Sequence, residues 1–359
     1  MNKKNILIIS PSLDPEDNIS GISSIVRLLV EYNDDVNYIP FIQGKKDKDS
    51  RSFKWLLKQL FTPFRLLNLL FRTHIDIIHF NIGFEPLSLI RDLGIYWILK
   101  MFSYPILLHI HGGRYLTSKP QKYSLKLVIA YFLRHADMIL VLGCVEKKSL
   151  SKQYGIDMES IHVLANAVLS SPLTVSEKPY QSILSILYLG RVDKNKGLVE
   201  ILKVMEGLEN QGLNFCFYLC GVGPDKEWFV SECSKIIGNK LIDKGLIYGK
   251  EKQLILNLSH IFLLPSYFEG LPMALLESMN NLVVPVVSPV GSIPDVVVQG
   301  KNGFLISSPR EIINVINNLN SNRDLLLELS ISAKDTICKH YSLDCYLKKM
   351  NMYYNLLKQ

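Results

Sequence analysis

The stretch IFLLPSYFEGLPMALLESMNNLVVPVVSPVGSIPDVV, residues 261–297, decides the fold class. It opens with a short apolar run, IFLLPS, and a second run, VVPVVSP, follows at residues 283–289. Uninterrupted apolar runs are typical of strands buried on both faces. Between the two runs, a turn with Glu269 and Gly270 leads into a helical segment that opens near Pro272, a residue favoured at the first helical position. Strand, helix and strand in this order predict a parallel sheet.

Similar apolar runs alternate with longer helical stretches along the whole chain. They are NILIIS, IDIIHF, PILLHIHG, MILVLG, IHVLAN, SILYLGR and FCFYLCG. A Ser- and Pro-rich segment, residues 169–182, separates the runs into two series, and 359 residues suit two domains at about 150 residues each. We therefore predict an α/β chain with two doubly wound domains, 1–168 and 183–338, a linker at 169–182, and a final helix within 339–359.

Composition excludes several classes of protein. Hydrophobic residues make up 48% of the chain and charged residues 20%, which argues against a disordered chain. Every apolar stretch of spanning length is interrupted by charge or proline, so we predict no membrane-spanning helix. The apolar run after MNKK is short for a signal peptide, and the cysteines form no CxxC pair. We expect a cytoplasmic protein with reduced, buried cysteines.

The positive charge is concentrated in the first half of the chain. Of the net charge of +7, residues 1–170 carry +6, because they hold 21 Lys and Arg against 15 Asp and Glu. This imbalance suggests an anionic partner, either a membrane surface, a phosphorylated substrate or nucleic acid. Residues 53–72 predict an amphipathic helix, and with the cations that precede it the segment 45–72 could contact an anionic membrane. The alternative is that this helix simply packs on the sheet.

The turn and helix within 261–297 could bind a phosphorylated ligand. Backbone N–H groups of the first helical turn, near Gly270 and Leu271, together with the helix dipole, favour an anion. Glu269 and Glu277 lie eight residues apart, which suits two hydroxyl contacts on one elongated ligand. The alternative is an ordinary strand–turn–helix with Glu277 solvated.

A second segment, LGRVDKNKG, places two cations after a strand. Arg191 offers a bidentate fork and Lys196 a point charge, and both suit a diphosphate. The alternative is a pair of solvated loop cations. The nearby CGVGP lacks the third glycine of the dinucleotide fingerprint, so it is a weak nicotinamide signal and is better interpreted as a tight turn near a nucleotide base.

In the first half, His111 follows the strand PILLHI and precedes two glycines, which favours a ligand contact, whereas His109 is expected to be buried structure. Gly21 is predicted to start the helix after the first strand, with Asp17, Asn18 or Ser20 as its cap.

No metal or other cofactor is predicted. The pair Asp47 and Asp49 lies in a lysine-rich loop with no flanking strand, and no His, Cys and Asp cluster has the spacing of metal ligands.

Taken together, these segments resemble glycosyltransferase family 4, which has the GT-B fold of two Rossmann-like domains facing across a cleft. The resemblance rests on DIIHFN, HIHGG, LGRVDKNKG, CGVGP, the Gly21 loop, and above all on PSYFEGLPMALLESM followed by VGSIPDVV. It implies catalytic roles for Glu269 and His111 at the transferred sugar. It also implies donor binding by Gly21, Arg191, Lys196, Gly270, Leu271 and Glu277. In detail, the two cations would hold the diphosphate, and Glu277 would bind the ribose hydroxyls.

The resemblance further implies a metal-independent transfer with retention of anomeric configuration. No protein nucleophile is expected, and a phosphate oxygen of the leaving group is thought to take the acceptor proton. The final helix, 339–359, would cross back to the first domain. Two positions depart from the family pattern, Ser20 and Ala167, where many members have glycine.

The sequence thus predicts a hexosyl- or N-acetylhexosaminyl-transferase that uses a nucleotide-diphosphate sugar, with UDP as the expected carrier. The expected acceptor is a saccharide or a polyprenyl-linked saccharide in the assembly of a bacterial surface polysaccharide such as a capsule. The expected location is cytoplasmic, including the inner face of the cell membrane, and nucleic acid is not expected as a partner. Two alternatives stay open, a UDP-sugar epimerase of the same fold and a nucleotide-sugar-binding protein without turnover.

Overall fold

The computed structural model describes residues 3–15, 17–18, 20–44, 53–116 and 118–357, with the backbone alone over 53–60. The chain forms two compact units. Unit 1 comprises Met1–Ala167 and Leu343–Gln359, and unit 2 comprises Val168–Ser342.

Unit 1 is built on a six-stranded parallel sheet with the order β2-β1-β3-β4-β5-β6. Its strands are β1 Lys4–Ser10, β2 Val36–Ile42, β3 Ile77–Ile82, β4 Ile106–Ile110, β5 Met138–Val141 and β6 Ile161–Val163. Its helices are α1 Gly21–Tyr32, α2 Phe53–Arg72, α3 Pro86–Met101, α4 Tyr123–His135, α5 Cys144–Tyr154 and, at the end of the chain, α12 Leu343–Leu356. The central strands are buried along their length, because helices cover both faces.

Unit 2 repeats this architecture, with the strand order β12-β11-β10-β7-β8-β9. Its strands are β7 Leu184–Leu189, β8 Phe215–Cys220, β9 Leu241–Gly245, β10 Ile261–Leu264, β11 Val284–Val287 and β12 Phe304–Leu305. Its helices are α6 Leu198–Asn210, α7 Lys226–Ile237, α8 Gly249–Leu258, α9 Met273–Asn280, α10 Pro309–Ser321 and α11 Arg323–His340. The predicted class, two Rossmann-like α/β domains with parallel sheets, is confirmed.

The segment 169–182, predicted as a linker, belongs to unit 2. Lys178 is only 5% exposed, and its Nζ donates to the carbonyl oxygens of Leu256 (2.8 Å) and Asn281 (2.9 Å). Burial lowers the pKa of this lysine to about 7. The Ser and Pro content suggested a linker, but these hydrogen bonds tie the segment to unit 2.

The C-terminal helix belongs to unit 1. Lys4 Nζ donates to the carbonyl oxygen of Tyr354 (2.8 Å), and the amide of Asn33 donates to Asn351 Oδ1 (2.8 Å). The predicted final helix lay within 339–359. In the structure α12 begins at Leu343, because residues up to His340 belong to α11.

The expectation of buried cysteines is confirmed for Cys220 and Cys233 but not for the other four. Cys216 and Cys345 are partly buried, and Cys144 and Cys338 are exposed. Cys144 opens α5, so its side chain lies at the exposed beginning of a helix.

Helix α2 runs continuously over Phe53–Arg72, with Pro63 inside it. The loop before it, including Lys45, Lys46, Asp47 and Asp49, lies outside the described residues, as do the side chains of 53–60. In the part of the chain that the structure describes, no helix combines the length and the apolar character needed to cross a membrane.

Candidate functional site

The loops that follow β7 and β10 lie against each other, because these strands are neighbours in the sheet of unit 2. Gly197 has φ +78°, and a Cβ there would lie 2.0 Å from the carbonyl oxygen of Pro265. The backbone N–H of Tyr267 donates to the carbonyl oxygen of Asn195 (3.0 Å). Only glycine permits this approach, which fixes one loop on the other at the carboxyl edge of the sheet.

Lys196 and Glu269 form an ion pair across these two loops. Lys196 Nζ lies 2.7 Å from Glu269 Oε1, and the hydroxyl of Ser266 donates to the same oxygen (2.7 Å). The Glu269 side chain is 8% exposed and that of Lys196 is 28% exposed. The structure thus places together two residues that lie 73 positions apart in sequence. The arrangement is a nearly buried carboxylate beside an accessible cation.

Arg191 leaves the carboxyl end of β7 with its guanidinium in solvent. Its side chain is 69% exposed, and Nε lies 4.0 Å from Asp193 Oδ2. Its backbone is held by the hydroxyl of buried Tyr188, which donates to the Arg191 carbonyl oxygen (2.5 Å). Burial is the main cause that raises the pKa of Tyr188, so this hydroxyl keeps its proton. A fixed backbone and an exposed guanidinium fit a group that meets a ligand.

The CGVG turn after β8 packs on the start of the Arg191 loop. A Cβ on Gly221, which has φ +149°, would lie 1.8 Å from the carbonyl oxygen of Gly190, and one on Gly223 would lie 2.1 Å from that of Val192. The sequence prediction of a tight turn agrees with this backbone contact. The two glycines therefore determine where the Arg191 backbone lies.

Gly270 and Leu271 precede α9, which begins at Met273 with Pro272 as its N-cap. The carbonyl oxygen of Gly270 accepts from the N–H of Ser292 (2.9 Å). The VGSIPDVV segment therefore braces the Glu269–Leu271 turn. The prediction that a helix starts next to this turn is correct, and the helix starts one residue later than the motif suggested.

Glu277 lies within α9 and pairs with a residue that the sequence analysis missed. Lys252 Nζ, on α8, lies 2.6 Å from Glu277 Oε1, with side-chain exposures of 29% and 22%. Glu277 is therefore ion-paired, whereas the alternative of an ordinary strand–turn–helix predicted that this side chain is only solvated. No local pattern could have indicated this partner, because the two helices are brought together by the sheet.

In unit 1, the side chain of His111 is held by an amide from the next strand. Asn81, on β3, donates its Nδ2 to the carbonyl oxygen of Ile9 (3.1 Å), so its Oδ1 faces His111 Nε2 at 2.7 Å as an acceptor. The proton of the neutral ring therefore sits on Nε2, and Nδ1 is left as an acceptor. Among the described residues, no group hydrogen-bonds to this Nδ1. Burial lowers the pKa of His111 to about 3, so the ring is neutral at physiological pH.

His111 ends a row of three neighbouring histidine rings. Its ring centroid lies 3.9 Å from that of His109, whose ring lies 5.4 Å from that of His79. His79 Nδ1 lies 2.7 Å from the hydroxyl of Tyr354, on α12. His109 is buried, as predicted, but the sequence analysis missed His79 and Tyr354. The only sequence signal was a histidine inside the apolar run IDIIHF.

Gly21 is the first residue of α1, as predicted. Of the candidate caps, Ser20 is the one used, since its hydroxyl accepts from the N–H of Ser23 (3.3 Å). Asn18 supports it by accepting from the Ser20 N–H (2.9 Å).

Within the described ranges, no cluster of His, Cys, Asp and Glu could hold a metal ion. In unit 2 the structure thus brings Arg191, Lys196, Glu269 and Gly270 to the carboxyl edge of one sheet. In unit 1 it places His111 and Gly21 at the carboxyl ends of β4 and β1.

Two family models match the chain. The model described as Glycosyltransferase Family 4 matches residues 31–169, and the model described as Glycosyl transferases group 1 matches residues 177–336. The second match contains all the candidate residues of unit 2, and the first contains His111.

Curated relatives are similar at low identity. The chain is 25% identical over 339 residues to the sulfoquinovosyl transferase SQD2 of Arabidopsis thaliana, which covers 84% of this chain and 63% of that protein. It is 28% identical over 173 residues to the putative colanic acid biosynthesis glycosyltransferase WcaL of Salmonella typhimurium, covering 46% of this chain and 40% of that protein. The matches span less than two thirds of the length of either relative.

Among solved structures, Anabaena HepE in complex with UDP aligns with a TM-score of 0.75 and 15% identity, covering 98% of this chain and 100% of that chain. At this identity the likeness shows a shared fold, which is GT-B.

Proposed function

We propose that this chain, which belongs to glycosyltransferase family 4, transfers a sugar from a nucleotide-diphosphate sugar to a hydroxyl of a saccharide or lipid-linked saccharide. UDP is the proposed carrier, and the binding of UDP by the structural neighbour HepE supports it. The observation that carries the proposal is the pair of loops that holds Lys196 against Glu269, with Arg191 beside it in sequence.

The charges of these loops suit the donor. The diphosphate leaving group carries negative charge that increases as the sugar–phosphate bond breaks. Arg191 and Lys196 supply two cations for it at the carboxyl edge of the sheet, where ligands of parallel α/β folds bind. Since these side chains can neutralise the diphosphate, we expect activity to persist in EDTA.

Glu269 of unit 2 is the proposed contact of the transferred sugar. It is held by Lys196 and Ser266 and can accept a hydrogen bond from a sugar hydroxyl. His111 of unit 1 is proposed, by itself, as a sugar contact, because its neutral ring offers Nδ1 as an acceptor. Glu277, paired with Lys252, is the proposed contact of the ribose hydroxyls. Transfer with retention of configuration remains part of the proposal.

The proposed setting is assembly of a bacterial surface polysaccharide. Its support is the similarity to WcaL, a protein named for colanic acid biosynthesis. A polyprenyl-linked acceptor is part of this proposed setting.

A donor screen tests the proposal. Thermal unfolding is measured with UDP, GDP and ADP and with their sugars, since a ligand at 100 times its Kd stabilises a protein by about 2.7 kcal/mol. We expect UDP and one UDP-sugar to raise Tm. Donor consumption is then measured with and without a saccharide acceptor, because an epimerase would turn over without one. Failure of every nucleotide to raise Tm would contradict the proposal.

A further inference from the structure

Helices α2, α3 and α4 lie side by side on one face of the sheet of unit 1. Each connects strands in the same direction across the sheet, and right-handed crossovers place such helices on the same face. Their inner side chains join one core, in which the rings of Tyr96 and Phe132 lie 4.6 Å apart. The end of α2 contacts the end of α3, where the rings of Phe71 and Phe102 lie 5.5 Å apart. The outward sides of the three helices therefore form one surface, here called the α2–α4 face.

An apolar stripe runs along the outward side of α3. Its members lie three, seven and four residues apart, which places them on one helical face. They and their exposed fractions are Leu87 (60%), Ile90 (63%), Trp97 (57%) and Met101 (65%). A surface helix normally exposes polar residues here, but α3 is apolar on its inner and its outward side.

The neighbouring helices extend this apolar surface. On α2, Phe61, Phe64 and Phe71 are 61%, 67% and 77% exposed. On α4, Tyr123 and Leu127 are 71% and 52% exposed. Single exposed apolar residues are normal on a protein, but large contiguous patches mark interaction sites. Exposed aromatic residues on three adjacent helices fit such an interaction site.

The charges among these helices have one sign. The three helices contain eight Lys and Arg and one acidic residue, Asp92. Asp92 is 2% exposed and pairs with Arg91 at 2.6 Å, so the helices present no acidic side chain to solvent. Arg65, Arg72 and Lys126 are exposed beside the apolar residues.

We propose that the α2–α4 face docks on an anionic lipid bilayer. The exposed aromatic and aliphatic side chains would enter the headgroup–acyl boundary, and the cations would contact lipid phosphates. Charge favours a bilayer over a second copy of this chain. A twofold contact would place the same cations against each other, whereas anionic lipid complements them. The inference goes beyond sugar transfer and does not depend on it.

Vesicle sedimentation tests the docking. The full chain is mixed with vesicles of phosphatidylcholine alone, or of phosphatidylcholine with phosphatidylglycerol, at low and high salt. We expect wild type to sediment with the anionic vesicles at low salt and to remain largely in the supernatant with neutral ones. The apolar variant Ile90→Gln/Trp97→Gln/Met101→Gln should lower the partition coefficient at least tenfold, because its targets are all more than half exposed.

A matched control changes exposed apolar residues in unit 2. Leu254→Gln/Val298→Gln alters side chains that are 56% and 50% exposed, and its partition coefficient should stay within twofold of wild type. The charge variant Arg65→Glu/Arg72→Glu/Lys126→Glu should remove the preference for anionic vesicles. Circular dichroism and Tm confirm that each variant is folded.

Three outcomes would overturn the proposal. Wild type could stay in the supernatant with anionic vesicles at low salt. The apolar variant could sediment as well as wild type. Finally, wild type could be a dimer without lipid and the apolar variant a monomer, which would make the face a contact between copies.

Discussion

Breaking the Lys196–Glu269 pair from its two sides should have unequal effects on stability. Two unit charges 2.7 Å apart attract by about 6 kcal/mol at an effective dielectric constant of ~20, although desolvation opposes much of this. Lys196→Met leaves the carboxylate of Glu269 8% exposed and without its cation, whereas Glu269→Gln leaves a lysine that is 28% exposed and can be hydrated. Removing one partner of a fully buried pair costs about 3–5 kcal/mol. Because Ser266 still donates to Glu269, we expect the lower end of this range. The free energy of unfolding should fall by about 3 kcal/mol in Lys196→Met and by about 1 kcal/mol in Glu269→Gln.

The double variant separates the interaction energy between Lys196 and Glu269 from the energies of their contacts with other groups. Lys196→Met/Glu269→Gln removes both charges, so its loss of stability should be close to that of Glu269→Gln alone, giving a coupling energy of about 3 kcal/mol. Lys235→Met is the matched control. That side chain is 67% exposed and lies 2.6 Å from Glu232, so its removal should change stability by less than about 0.5 kcal/mol.

Urea unfolding of unit 2 is the assay. Trp228 lies on α7, so in a Trp55→Phe/Trp97→Phe background its fluorescence reports this unit alone. Equal losses of stability for Lys196→Met and Lys235→Met, or a double variant whose loss equals the sum of the two single losses, would contradict this expectation. Either result would mean that the carboxylate of Glu269 does not depend on Lys196 in the folded protein.

The remaining predictions concern turnover, nucleotide binding and pH. Glu269→Gln should lower kcat more than tenfold while calorimetry shows UDP affinity within twofold of wild type; a large loss of UDP affinity would exchange its role with that of Glu277. Glu277→Gln should weaken UDP binding by at least tenfold, the loss of a hydrogen bond to a charged group, and unchanged affinity would exclude a ribose contact. Burial lowers the pKa values of His79 and His111 to about 3, so the folded protein binds fewer protons than the unfolded chain between about pH 6.5 and 3. The contribution of these neutral rings to the free energy of unfolding is complete above pH 6.5. Below that pH it falls by about 1.4 kcal/mol for each histidine and each pH unit. Denaturant unfolding at pH 7, 6 and 5 measures this, and a free energy of unfolding that does not change with pH would contradict it.

The sequence predicted the interior of both sheets and missed most of their edges. The strands absent from the prediction are β2, β9 and β12, and each lies at the edge of its sheet. Edge strands are covered less, so their sequences need not be apolar; β9 reads LIDKG and is partly exposed. Central strands such as β10 are buried on both faces, which makes their apolar runs plain.

The candidate site was predictable where a loop follows a central strand. Arg191, Lys196 and Glu269 stood out because the carboxyl ends of parallel strands meet at one edge. The pairing of Lys196 with Glu269, and of Lys252 with Glu277, depends on which strands are neighbours, and no local pattern encodes that. The contact of Tyr354 with His79 depends on the return of α12 to unit 1, which only the family resemblance suggested.

Calorimetric titration of UDP tests whether Arg191 and Lys196 bind the donor diphosphate. Wild type, Arg191→Ala and Lys196→Ala are titrated under the same conditions, with Lys194→Ala as the control. We expect one UDP to bind per wild-type chain, and each of the two variants to lose about 1.5–3 kcal/mol of binding free energy, at least tenfold in Kd. Wild-type affinity for UDP in both Arg191→Ala and Lys196→Ala would contradict this role of the two cations.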